Sequence, residues 1–158
     1  MLTIRQYQDA DKDAVWELHH IALGHIGFPY RDGPRDQDMH DIPDHYLKTG
    51  GEFIVGLLDN KIVCMGAFRK KSETTAEVKR MRVLPDYQRR GFGQTILNQL
   101  EARAKQMGYE EFILDTTTRQ IAAQKLYEQN GFVEVKREML PELEMQELEL
   151  IYYRKTLV

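Results

Sequence analysis

Cysteine and long apolar runs are scarce in this sequence. The single cysteine, Cys64, has no partner for an intrachain disulfide, and no Cys/His spacing typical of a metal site occurs. No apolar run approaches the roughly 20 residues that a membrane-spanning helix needs. Residues 1–5 lead into a strand pattern rather than into a signal peptide. We therefore expect a cytoplasmic protein without a disulfide, a metal centre or a membrane contact.

A strong charge of one sign is also lacking. Lys and Arg number 22 and Asp and Glu 25, so the net charge of −3 provides no general attraction to nucleic acid. A local basic cluster suits a single polyphosphate ligand better, and its members are Arg80, Arg82, Arg89 and Arg90. The 158 residues, 42% of them hydrophobic, are expected to form one domain spanning residues 1–158 with its own core.

Apolar periodicity and turn residues predict the order of elements. Strands are predicted at residues 2–7, 52–58, 61–70, 74–84, 111–115, 132–136 and 147–153, with a loop containing Pro141 before the last. Helices are predicted between residues 9 and 24, at 35–48 with an interruption near Pro43, at 91–107 and at 119–129. Because a helix connects them, the strands at 74–84 and 111–115 should pair in parallel. The predicted fold is α/β, in the mixed α+β sense: a twisted, mostly antiparallel sheet of about seven strands flanked by about four helices.

The stretch 76–107 predicts an anion site. It combines a strand, a short basic loop and a helix that begins at two glycines. The first N–H groups of a helix lack intrahelical partners and carry partial positive charge, so they favour a bound phosphate. We expect a pyrophosphate to contact Gln88, Arg89, Arg90, Gly91, Phe92, Gly93, Gln94 and Thr95.

Two common phosphate loops fit this stretch poorly. A P-loop closes with Gly-Lys-Ser/Thr, and no such group follows Gly93. A dinucleotide fingerprint places a third glycine where Ile96 stands, and it normally opens the first strand-helix-strand unit of a chain. A generic nucleotide-phosphate binder is therefore disfavoured.

The pattern Gln/Arg-x-x-Gly-x-Gly/Ala after a strand ending in Val-x-Pro resembles the GNAT superfamily of acyl-CoA-dependent N-acyltransferases, and residues 88–93 match it without a gap. The resemblance implies that the loop holds the pyrophosphate of the cosubstrate acetyl-CoA. It implies a sheet that splays between its fourth and fifth strands, where the coenzyme enters. It also implies a bulge at the strand end 81–83, where the main chain of Met81, Arg82 and Val83 pairs with the pantetheine arm. Gln120 stands where many relatives have an asparagine that touches the coenzyme, and a homodimer through the C-terminal strand is expected.

Acyl transfer to an amine needs a proton acceptor for the ammonium and a proton donor for the departing thiolate. The segment 123–132 resembles the family signature Ala-x-x-x-Tyr followed by Gly-Phe, which makes Tyr127 the expected acid. A tyrosine on an amphipathic helix can equally be a packed core residue. Glu77, in the strand before the loop, is the expected base. Its alternatives are a surface pair with Lys79 and a water path that replaces the base.

The resemblance places the acceptor between the N-terminal helices with their loop, residues 19–46, and the last strands near Tyr152. Five aspartates make that segment acidic and would suit a cationic amine, namely Asp32, Asp36, Asp38, Asp41 and Asp44. Equally, Asp36 can cap a helix and the others can be solvated. The leading hypothesis is an N-acetyltransferase that moves an acetyl group from acetyl-CoA to a primary amine by direct attack in a ternary complex. The alternative is a catalytically silent sensor of acyl-CoA.

Overall fold

A computed structural model describes residues 1–139 and 148–158, and in them seven strands form one sheet. The strands are β1 (Thr3–Gln6), β2 (Glu52–Leu58), β3 (Lys61–Lys70), β4 (Thr75–Val83), β5 (Glu111–Thr117), β6 (Val133–Met139) and β7 (Glu149–Thr156). The α-helices of this part of the chain are α1 (Lys12–His25), α2 (Phe92–Gln106) and α3 (Ile121–Gln129). The predicted loop at Pro141 and the predicted strand start at Glu147 lie outside the described residues.

The spatial order of the sheet is β1-β2-β3-β4-β5-β7-β6. Neighbouring strands are antiparallel except for β4 and β5, which pair in parallel as the connecting helix predicts. The mixed, mostly antiparallel sheet is thereby confirmed. Strand β6 is an edge strand whose residues are all exposed, and dimerisation through this part of the sheet stays a prediction.

The second predicted helix forms two short turns of other types. Residues Pro34–His40 form a 3-10 helix, and Pro43–Leu47 form a π-helical turn in which Lys48 N donates to the carbonyl of Pro43 at 2.9 Å. Each turn begins at a proline, whose missing N–H is tolerated at a helix start but interrupts a continuous α-helix. Pro43 therefore ends the regular helical pattern rather than kinking it.

Helices cover both faces of the sheet. Helix α2 buries four residues at helical spacing: Ile96, Leu97, Leu100 and Ala104. Gly66 of β3 permits this contact, because a Cβ there would lie only 2.5 Å from Ile96 Cγ2. Helix α1 buries Val15, Leu18 and Ala22 against the other face.

Strand β4 has two irregularities that shape the centre of the molecule. It pairs with β5 only from Thr75 to Glu77, so the two strands separate beyond this point. A bulge interrupts its pairing with β3, where Arg80 has a φ of +59°. The register shifts between Lys79 and Arg82, so the bulge comprises Arg80 and Met81 and overlaps the start of the predicted segment 81–83. An extra residue reverses the side-chain alternation, so Arg82 faces the same side as Lys79.

Within the described ranges, no helix is both long and apolar enough to span a bilayer.

Candidate active site

Two cavities meet where β4 and β5 separate. The loop cavity lies among the end of β4, residues 87–94 and α3, and the strand cavity lies among β4, the end of β5 and the turn Pro34–His40. Their volumes of about 650 and 560 Å³ are typical of small-molecule sites. Both are lined by Leu23, Met81, Arg82, Gln120 and Tyr127. A ligand in one cavity can therefore reach a ligand in the other at this shared wall.

The basic loop presents unpaired backbone amides to the loop cavity. Gly91 precedes α2 with a φ of +80°, a conformation that glycine adopts without strain. Among residues 1–139 and 148–158, no side chain caps the start of this helix. Thr95 uses both its N–H and its hydroxyl on the Gly91 carbonyl, each at 3.0 Å. In the described residues the N–H groups of Gly91, Phe92 and Gly93 have no acceptor outside the helix, which is the geometry that binds an anion.

Most of the predicted loop residues line this cavity: Gln88, Arg89, Gly91, Phe92, Gly93 and Gln94. Arg90 instead lies over the Tyr87 ring, with its guanidinium carbon 5.2 Å from the ring centroid. The Gln88 side chain donates to the Val83 carbonyl at 3.3 Å. Arg89 therefore remains the cation beside the helix N-terminus on the cavity wall.

The predicted pantetheine segment also lines the loop cavity. Met81, Arg82 and Val83 form its wall past the point where β5 leaves β4. Gln120 lies at the junction of the cavities, and its side-chain oxygen accepts from Thr116 Oγ1 and Thr117 N, both at 3.0 Å. These bonds fix the Gln120 amide while its NH₂ end stays available for a ligand.

Tyr127 lies on α3 at the shared wall and is 5% exposed. Its ring packs against Phe132, with the centroids 5.4 Å apart. Tyr127 is therefore a packed residue and also lines the wall that a ligand would contact. Burial raises the pKa of the Tyr127 phenol, and the nearby charge of Arg82 opposes that shift. The phenol is therefore protonated at neutral pH and can donate a hydrogen bond.

Glu77 is held by a neighbouring strand. Its carboxylate accepts a hydrogen bond from Arg69 Nε at 2.7 Å, across the β3–β4 ladder in which the two residues are paired. Lys71 lies 4.0 Å away on the same carboxylate oxygen. Glu77 is not among the residues that line either cavity. The partner of Glu77 is therefore Arg69 rather than Lys79, and the role of Glu77 as base stays a prediction.

Asp115, at the end of β5, was not identified from the sequence as a functional residue. It lines the strand cavity and has no hydrogen bond or ion pair within the described part of the chain. Its carboxylate is open to the cavity, yet the surrounding walls desolvate it and raise its pKa, a shift that Lys79 opposes and Glu77 reinforces. The available signal was positional, since ligands often bind at the carboxyl ends of parallel strands.

The aspartates expected to hold a cationic amine already have protein partners. Asp36 accepts from His19 at 3.1 Å, and Asp38 binds Arg80 and the Tyr46 hydroxyl, the latter at 2.6 Å. Asp32 contacts His40, and Asp44 pairs with Lys48. Asp41 accepts a hydrogen bond from the backbone N–H of Asp44. These contacts support the turn Pro34–His40 and its flanks, and an acceptor site formed by these aspartates stays a prediction.

Cations dominate the strand cavity instead. Its basic lining residues are Arg31, Arg35, Arg69, Lys79, Arg80 and Arg82, and its acidic ones are Asp36, Asp38 and Asp115. Among the described residues, no group of three or more His, Cys, Asp or Glu side chains could hold a metal ion.

Known proteins resemble this chain in sequence and in architecture. The model of the acetyltransferase (GNAT) family matches residues 9–132, which is most of the chain. The chain belongs to this family. This GNAT chain is 32% identical over 139 residues to N-acetylaspartate synthetase of Xenopus tropicalis, covering 85% of the chain and 49% of that protein. It is 32% identical over 101 residues to N-acetyltransferase 8 of Homo sapiens, covering 60% and 44%. The chain thus spans about half the length of the curated relatives that it matches.

Solved structures share the fold. A GNAT acetyltransferase from Staphylococcus aureus superposes with a TM-score of 0.87 at 24% identity, and all of both chains is covered. An acetyltransferase from Salmonella typhimurium, determined with its cofactor acetyl-CoA, superposes with a TM-score of 0.81 at 20% identity, covering 100% of this chain and 95% of that one. These likenesses confirm the predicted fold class.

Proposed function

We propose that the protein transfers an acetyl group from acetyl-CoA to a primary amine by direct attack in a ternary complex. The observation that carries this proposal is the shared wall of the two cavities, at Arg82, Gln120 and Tyr127. One cavity offers an anion site at a helix N-terminus, and the other offers room for a second molecule. The thioester of a coenzyme in the loop cavity would lie at the wall that an acceptor in the strand cavity can reach.

The coenzyme would be held mainly by main-chain groups. The free amides of residues 91–94 and the side chain of Arg89 would bind its pyrophosphate. Beyond Glu77, β4 has no neighbour on its β5 side, so residues 81–83 can hydrogen-bond the amides of the pantetheine arm as an added strand would. Gln120 would contact the arm from the opposite side of the junction.

The reaction requires the amine to lose a proton and the sulfur to gain one. The amine nitrogen attacks the thioester carbonyl carbon, the new C–N bond forms, and the C–S bond breaks with its electron pair leaving on sulfur. We propose Asp115 as the proton acceptor, because its carboxylate lines the strand cavity and has no hydrogen-bond or ion-pair partner among the described residues. Tyr127 would donate its phenolic proton towards the departing sulfur, and Arg82 would stabilise the resulting negative charge.

Glu77 remains the second candidate for the base. Its ion pair with Arg69 and its position outside the cavity walls favour a supporting role. The carboxylate of Glu77 fixes Arg69, and Arg69 itself lines the strand cavity.

The relatives support an amine of low molecular mass as acceptor. Several are N-acetylaspartate synthetases, a name that refers to an acetylated amino acid. We take from them the class of acceptor, a small amino compound, rather than the compound itself.

The proposal is tested by mixing the protein with acetyl-CoA and a panel of amines while free thiol is measured. Amine-dependent thiol release would support the transferase. Binding of acetyl-CoA without release for any amine would favour a sensor, and absence of binding would contradict both functions.

A further inference from the structure

The strand cavity contains two cations, Lys79 and Arg82, that form no ion pair within the described part of the chain. Arg80 and Arg31 lie near Asp38 and Asp36, and Arg69 is paired with Glu77. Lys79 forms no ion pair or hydrogen bond within the described residues. Arg82 donates only to the carbonyl of its neighbour Met81, and its Nε is buried without a partner in the same part of the chain.

Leaving these charges unpaired is costly for the folded protein. Burial, followed by the charge of Arg80, lowers the pKa of Lys79, and the same two causes lower the pKa of Arg82 to about 10. A buried cation normally has a carboxylate or phosphate partner. The carboxylates of Asp36 and Asp38 are already bound to other groups, and Glu77 and Asp115 act on Lys79 only through their charge, without a direct contact. A ligand carboxylate can therefore supply the direct partner that both cations lack among the described residues.

The bulge of β4 places the two side chains on one wall. Lys79 is paired with Ala67 and Arg82 with Met65, so their positions on the neighbouring strand are two residues apart. Two residues of a strand span roughly 7 Å, and residues two apart point to the same face. Without the extra residue at Arg80, Arg82 would point to the opposite face, towards α2.

The two cations also differ in their distance from the junction of the two cavities. Arg82 lines both cavities and stands beside Tyr127, whereas Lys79 lines only the strand cavity. An anionic group on Arg82 would therefore lie close to the reacting amine, as the carboxylate of an α-amino acid does. An anionic group on Lys79 would lie further from the thioester.

We propose that the acceptor is a small primary amine that carries at least one carboxylate, and that Lys79 and Arg82 bind this carboxylate. The inference rests on the proposed transferase function and names the substrate class of its acceptor site. It is the reverse of the cationic amine that the aspartate-rich sequence suggested. Asp115 remains available for the ammonium group, which lies on the same molecule as the carboxylate.

The first test compares acceptors that differ in charge but not in size. L-aspartate and L-glutamate are assayed against their diamides, in which both carboxylates are replaced by carboxamides, and against spermidine, with acetyl-CoA at a fixed concentration. Loss of charge-assisted hydrogen bonds in a buried site predicts that kcat/KM falls about 100-fold or more for the carboxamides. Equal turnover of the carboxamides, or a preference for spermidine, would overturn the inference.

Variants of the chain assign the effect to residues. Lys79→Gln should raise KM for the carboxylate acceptor at least about tenfold while leaving KM for acetyl-CoA unchanged. Arg82→Gln should raise the KM for the acceptor as well and should also lower kcat, because Arg82 faces the departing thiolate too. Lys79→Glu should abolish that preference and improve turnover of spermidine relative to wild type. The control is Lys105→Gln, on the exposed side of α2, which should change none of these constants. A rise in KM for acetyl-CoA alone would show that the two cations serve the coenzyme, and would overturn the inference.

A binding measurement separates this inference from the proposed function. Succinate carries two carboxylates and no amine, so it can occupy the site without reacting. Calorimetric titration of the full chain should show succinate binding that the double variant Lys79→Gln/Arg82→Gln loses. Binding would support the anion site even if no amine releases thiol, in which case only the transferase proposal fails. No binding to wild type would overturn the inference, whatever the outcome of the activity assay.

Discussion

Arg80 binds Asp38 with two hydrogen bonds, from Nη2 to Oδ1 at 2.5 Å and from Nε to Oδ2 at 2.9 Å. Arg80 is the bulge residue of β4, and Asp38 belongs to the turn Pro34–His40. The pair therefore attaches the irregular strand that forms the cavity junction to the segment that covers it. Burial would raise the pKa of Asp38, but the bonds from Arg80 and Tyr46 outweigh it and hold that pKa at about 2.

We expect Asp38→Ala to destabilise the protein strongly, because it leaves the buried Arg80 and the Tyr46 hydroxyl without their partner. Removing one member of a buried ion pair costs about 3–5 kcal/mol. Urea denaturation measures the free energy of unfolding, and Asp38→Asn, which can keep the bond to Tyr46, should lose less. The control, Asp44→Ala, breaks an exposed pair with Lys48 and should leave the midpoint unchanged. Equal midpoints for the two alanine variants would contradict this account of the bulge.

Alanine substitutions at Gly91 and Gly108 test the coenzyme site, with Gly108 as the control position. Both have left-handed φ values, +80° and +92°, and a Cβ at either would meet open space. Alanine at each should therefore cost a similar amount, about 1 kcal/mol, through backbone strain alone. Gly91→Ala should in addition weaken coenzyme A binding about tenfold or more by displacing the phosphate-binding amides, whereas Gly108→Ala should not. Titration calorimetry with coenzyme A decides between these outcomes, and equal affinities would exclude residues 91–94 as the phosphate site.

Tyr127→Phe tests the proton donor. The ring fills the same space against Phe132, so the variant should fold normally and bind acetyl-CoA with unchanged affinity. Loss of a general acid predicts a fall in kcat of about 100-fold with acetyl-CoA. The fall should be smaller with an acetyl donor whose leaving group is better than the coenzyme A thiolate. Tyr153→Phe, which loses only a bond to Glu128, is the control. An unchanged kcat in Tyr127→Phe would leave Tyr127 as a packing residue.

The base is tested by the pH dependence of Asp115→Asn. Burial raises the pKa of Asp115, which makes its carboxylate a stronger proton acceptor than an exposed one. Without it, the amine must be deprotonated by solvent, so the loss in kcat/KM should be about 100-fold at pH 7 and much smaller near pH 10, where the free amine forms. Glu77→Gln should lower activity by a similar factor at both pH values through Arg69. If the loss in Glu77→Gln shrinks near pH 10 while the loss in Asp115→Asn does not, Glu77 is the base.

The sequence predicts the order of elements along the chain and the glycine turn before α2 well, because both depend on local patterns. Period-two and helical periodicities locate the seven strands and α2, and the glycines at 91 and 93 mark the helix start. Each of these features is readable within about ten neighbouring residues.

Charge pairing could not be predicted in the same way, because the partners are distant in sequence. Asp38 is 42 residues from Arg80, and Glu77 pairs with Arg69 through strand register rather than with its neighbour Lys79. The bulge at Arg80 determines which face Arg82 occupies, and a single extra residue leaves no clear sequence signal. Hence the acidic composition of residues 32–44 suggested a cationic acceptor, whereas the strand cavity is lined by more basic than acidic side chains.

The central claim is that the amides after Arg89 bind the pyrophosphate of coenzyme A and direct its thioester towards the junction of β4 and β5. A crystal structure of the full chain with acetyl-CoA tests it most directly. We predict phosphate oxygens within hydrogen-bonding distance of the N–H groups of Gly91 and Gly93, and the thioester sulfur beside the Tyr127 hydroxyl. A coenzyme bound elsewhere, or with its sulfur turned away from Tyr127, would contradict the account.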